Sequence, residues 1–145
     1  MRAWSDSWTF WALLSAAFAA LTAIFAKIGV ENINSDLATL IRTVIVAGVL
    51  AAIVAVTRQY QPLAAIPART YAFLALSGLA TGASWLCYFR ALKLGDAARV
   101  APIDKLSIIL VAVFGVAFLG ERLSAVNWLG IILIGCGALL VAHKG

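Results

Sequence analysis

The feature that most constrains this chain is a recurrence. Five apolar runs, each of about twenty residues, fill most of its 145 positions and are separated by short polar or proline-containing segments. At about 1.5 Å per residue, a helix of that length crosses the roughly 30 Å hydrocarbon core of a bilayer. Lipid offers the backbone no hydrogen-bond partner, so each run must satisfy its own amides, and a helix does so. Composition agrees: 64% of residues are hydrophobic and 12% charged, with a mean hydropathy of +1.03. A soluble core of this size could not cover that much apolar surface. The expected class is an all-α integral membrane protein with five transmembrane helices.

The spans are expected at residues 7–28, 36–58, 68–94, 102–119 and 125–142, within a single membrane domain over 1–145. Ser5 or Asp6 is placed to cap the first helix and Gly29 to stop it, while Ser35 or Asp36 should cap the second. Pro67 suits the start of the third, Gly95 a left-handed cap at its end, and Pro102 the first turn of the fourth. Gly120 ends that helix and Ser124 opens the fifth. Trp4, Trp8, Trp11 and Trp128 fall where indole rings sit at the headgroup level. The first run, with SAAFAA inside it, could be taken for a cleaved signal. Its length, its weakly basic start and the hydrophobic chain behind it favour a retained span.

Several function classes drop out. The net charge of +5 is spread singly over the ends of apolar runs, which suits interface anchoring and gives no basic face for nucleic acid. Cys87 and Cys136 lie inside apolar runs with no ligand set near them, and act as small apolar residues. No nucleophile with a base, no metal-ligand spacing and no phosphate-cradling loop is present, so neither an enzyme nor a cofactor is expected.

What remains is a small set of charges in unusual places. Lys27 closes the first run, Arg42 lies inside the second, and Asp104 and Lys105 lie past Pro102 in the fourth. Ionisable groups in spans are costly and call for a partner or a role. Adjacent residues on a helix point about 100° apart, so Asp104 and Lys105 are each expected to need a partner elsewhere. The pairing expected is Asp104 with Arg42, and Lys105 or Lys27 with Asp36 or Glu31. Such a cluster serves either as a structural salt-bridge cap or as a substrate-facing gate. Arg42 can alternatively snorkel to the interface. Two polar threads run beside it at helical spacing: Ser15, Phe18 and Thr22 on the first helix, and Ser77, Thr81, Ser84 and Tyr88 on the third. The pair Gly78 and Gly82, and Gly130, Gly135 and Gly137, offer close-packing faces.

Five crossings put the termini on opposite sides. The N-terminal side holds Arg2, Arg58, Arg69 and Arg122; the other holds Lys27, Arg90, Lys93, Arg99 and Lys144, plus the sunken Arg42 and Lys105. So even a distribution gives the positive-inside rule little to act on and allows insertion in both orientations.

The stretch YFRALKLGD followed by APIDKLS, with AKIG and IRTVIVAGVLA before it and FLGERLS and NWLG after it, resembles the EamA repeat of the drug/metabolite transporter superfamily. That resemblance implies a membrane transporter of small metabolites, often an exporter, built from two five-helix repeats of opposite orientation. Here there is a single repeat, and two antiparallel copies would restore the two-repeat design. The resemblance therefore implies a dual-topology homodimer in a bacterial or archaeal inner membrane, with the lipid bilayer and a small-molecule substrate as its other partners. Trp11, Ser15, Arg42, Trp85 and Tyr88 are the expected substrate contacts, and Lys27, Arg42, Asp104 and Lys105 the gating cluster. The superfamily's small four-helix multidrug exporters use a glutamate in the first helix; this chain has no carboxylate there, and its cationic excess points to acidic substrates. A half-transporter needing a paralogous partner, and a non-transporting assembly subunit, stand as alternatives.

Overall fold

A computed structural model describes residues 7–143, which are helical and contain no strand. The helices are α1 (Trp8–Val30), α2 (Ser35–Thr57), α3 (Ala68–Leu94), α4 (Ala97–Asp104), α5 (Ser107–Leu119) and α6 (Ala125–Ala142), with a 3-10 turn at Leu63–Ala65. Five stretches are long and apolar enough to cross a membrane, α4 and α5 together making the fourth. The caps expected at Ser5 or Asp6, with Trp4, Arg2 and Lys144, lie outside the described residues.

Several helix ends differ from expectation. Asn34 caps α2 instead of Ser35 or Asp36, its Oδ1 accepting from the amides of Asp36 and Leu37 at 2.8 and 3.3 Å. An asparagine one position earlier satisfies two of the free amides there, which leaves Ser35 buried as the first helical residue. Arg58 is the left-handed cap of α2, with φ 52°, and α1 runs through Gly29 to Val30. Gly95 does not adopt the left-handed conformation, which among the described glycines only Gly120 does, with φ 70°. There the amide of Glu121 turns back to the carbonyl of Gly115 at 3.1 Å, so the end of α5 is closed by the chain itself.

The fourth span departs furthest. It begins at Ala97, with Asp96 in extended backbone before it, so Pro102 falls inside α4 and not in its first turn. Proline lacks the N–H that a helix interior uses, and three residues later the helix tightens. Lys105 donates its amide to both Ala101 and Pro102, and Leu106, Ile108 and Ile109 each reach back three residues. That is a short over-wound turn of 3-10 type, and it separates α4 from α5.

The chain divides into two compact units. One holds the end of α1 from Phe25, α2, and α3 up to Lys93; the other holds α1 up to Ile24 and α4 to α6. In the second, α6 packs against α4 and α5. Its buried residues are small, with Ala112 and Gly115 on α5 and Gly135 and Ala138 on α6, which lets backbones approach closely where hydrophobic burial gives no drive. A Cβ at Gly135 would stand 2.8 Å from Ile109 Cδ1, whereas at Gly130 and Gly137 nothing described lies within 4 Å. The close-packing face expected from three glycines thus rests on one. Gly78 and Gly82 are likewise open in the single chain.

Candidate charged and aromatic site in the α2–α3 unit

The α2–α3 unit begins with polar fastenings at one end. Asp36, in the first turn of α2, forms a salt bridge with Arg90 on α3 at 3.2 Å. Lys93 donates to the carbonyl of Ile33 in the turn before α2. Lys27, near the end of α1, donates to the carbonyl of Leu92 at 2.8 Å. Both lysines thereby cover carbonyls that lipid could not satisfy. Phe89 and Leu92 are buried beside these contacts. The hydroxyls of Thr39, Thr43 and Thr81 are spent within their own helices, each donating to the carbonyl four residues back.

Deeper from that end lies Arg42. It is the eighth residue of α2, about 10 Å along the axis from Ser35. Its guanidinium carbon stands 3.8 Å from the centroid of the Trp85 ring and 5.6 Å from that of Phe89. Trp85 and Phe89 are four residues apart on α3 and so share a face. Both distances fall within the reach of a cation over an aromatic face, and the attraction grows as water is excluded. Tyr88, partly buried, stands three residues along α3 from Trp85.

The structure thus brings Arg42 and Trp85 together. Asp36 pairs with Arg90, a partner the sequence reading did not name. Asp104 pairs with its neighbour Lys105, Nζ to Oδ2 at 3.2 Å, although about 100° of helical rotation should separate adjacent side chains. The reason is the flexible four-carbon lysine stem together with the tightened turn in which Lys105 sits. Each of these two charges thus finds a partner in its own sequence neighbour. Trp11 is exposed and meets Phe10 edge-on at 5.4 Å between centroids. Ser15 is exposed on α1. Both belong to the unit that holds α4 to α6.

Phe89 and Arg90 were not anticipated in these roles. The four-residue spacing of Trp85 and Phe89 was visible in the sequence, as was Asp36 at a helix start opposite Arg90 near a helix end. The choice among several basic partners for Asp36 was not.

Comparison with known proteins places this arrangement in a family. A Sinorhizobium protein described as an uncharacterized transporter in the cobO 3' region is 72% identical over 138 residues, covering 95% of this chain and 98% of that protein. No solved structure matches. The model of the EamA-like transporter family matches residues 6–142, so the chain belongs to the EamA-like transporter family and is a multi-pass membrane protein.

Proposed function

We propose that the protein is a secondary-active exporter of a small metabolite in the cell membrane, and that two copies in antiparallel orientation complete it. The observation that carries this reading is that a transporter family model matches residues 6–142 of a chain with five stretches long and apolar enough to cross a membrane. An odd number of spans inverts the second copy relative to the first only if insertion runs both ways. The even spread of cationic residues allows that. Two inverted copies reproduce the inverted-repeat design through which such carriers alternate access to a central site. Trp11 and Ser15 on α1, and Arg42, Trp85 and Tyr88 on α2 and α3, are the residues proposed to meet substrate. Lys27, Arg42, Asp104 and Lys105 are proposed to respond as the site changes its accessible side.

Single cysteines placed next to each terminus, in a chain with Cys87 and Cys136 replaced by alanine, test the orientation. Labelling of each terminus from both faces of the membrane is expected. Strictly one-sided labelling would sink the antiparallel homodimer.

A further inference from the structure

We propose that Arg42, held on the face of Trp85, binds the carboxylate of a small solute, which makes the substrate class of this carrier acidic. The inference rests on the transport reading for its biological meaning, although the site itself stands on geometry.

A guanidinium is planar. Its face can stack on an indole while its edge still presents N–H donors in a fork that matches a carboxylate. Trp85, 3.8 Å from the guanidinium carbon, takes the face, and Phe89 flanks it at 5.6 Å. The edge donors make no hydrogen bond and no ion pair with any described residue. The nearby carboxylate, that of Asp36 one turn or more towards the helix start, is engaged by Arg90. Arg42 therefore sits inside a membrane-spanning helix, half-buried, oriented by aromatic contact and carrying a charge that forms no ion pair with a carboxylate of the α2–α3 unit. Charges placed so are expensive and mark ligand or ion pathways. An oxyanion supplies both the charge and the acceptor oxygens.

Arg69 shows what distinguishes the site. It too stands over an aromatic ring, 5.7 Å from Phe73, but it is exposed and lies at the second residue of α3, at the end of a span.

Two sources could provide the oxyanion: a dissolved carboxylate or the phosphate of a lipid headgroup. The test is binding by the purified full chain, in maltoside micelles and in phosphatidylcholine nanodiscs, read by calorimetry. Acetate, benzoate and succinate are each set against the matching neutral amide. At least one carboxylate is expected to bind in both settings, and its amide about ten-fold more weakly or not at all. Arg42→Gln should lose that preference, Arg42→Lys should keep part of it, and Arg69→Gln should leave it unchanged. Retained preference in Arg42→Gln, or no carboxylate outbinding its amide, would overturn the proposal. So would binding in micelles that vanishes in nanodiscs, since the headgroup would then be the occupant. Carboxylate binding without flux in proteoliposomes would support the site while removing the transport reading, so the two fail separately.

Discussion

The two units of this chain solve the same problem by opposite means. In the unit with α4 to α6, helices meet through glycine and alanine, and the intramembrane charges Asp104 and Lys105 satisfy each other across one peptide bond. In the α2–α3 unit the contacts are polar and long-range in sequence: Asp36 with Arg90, Lys27 with Leu92, Lys93 with Ile33 and Arg42 with Trp85. The difference teaches where function can reside. Small-residue packing brings helix backbones together and orients no charged group. Aromatic stacking holds a guanidinium in place while its hydrogen-bonding edge stays available.

The comparison breaks most sharply at Arg42. Arg42→Gln is expected to reduce flux of an acidic substrate in proteoliposomes by ten-fold or more, with helix content unchanged by circular dichroism. Asp104→Asn should cost far less, since its partner is the exposed Lys105 (62% and 35% side-chain exposure for the lysine and aspartate). Equal losses from the two would show that the charges of both units act as one gate.

Packing gives the next largest effect. Gly135→Leu should lower stability by about 1–3 kcal/mol in reversible unfolding from detergent, because the added side chain collides with Ile109. Gly130→Leu, where nothing lies within 4 Å, should change it much less. A smaller effect is expected at the aromatic face: Trp85→Leu removes a cation–π contact worth about 0.5–2 kcal/mol, whereas Trp85→Phe keeps most of it. Ligand affinity of the two variants, measured by the same calorimetry, checks the order. The smallest effect belongs to the Asp36–Arg90 bridge, whose side chains are 50% and 65% exposed. A double-mutant cycle with Asp36→Asn and Arg90→Gln should give a coupling of about 0.2–1 kcal/mol that fades with salt.

Much of the architecture was legible beforehand because lipid imposes a rule that each segment satisfies alone. Run length set the five spans, and Gly120 and Ser124 marked helix ends through their own local chemistry. Asn34 was overlooked as a cap because Ser35 and Asp36 compete for the same role by the same criterion. The fourth span was misplaced because Pro102 is compatible with a first turn as well as with an interior, and the helix-forming residues Ala97 to Val100 decided the matter.

What the sequence by itself determined is the membrane class, the number of stretches able to cross a membrane, the family and the identity of the few charges that need an explanation. These follow from composition and from periodicities that hold within a single segment. Only the tertiary structure decided which charge meets which. Asp36 had more than one basic candidate and meets Arg90, Asp104 and Lys105 turn to each other, and Arg42 stands over Trp85, which the sequence had not offered as its partner. Pairing depends on the depth and rotation of one helix against another, and those are set by side-chain contacts that no single helix contains.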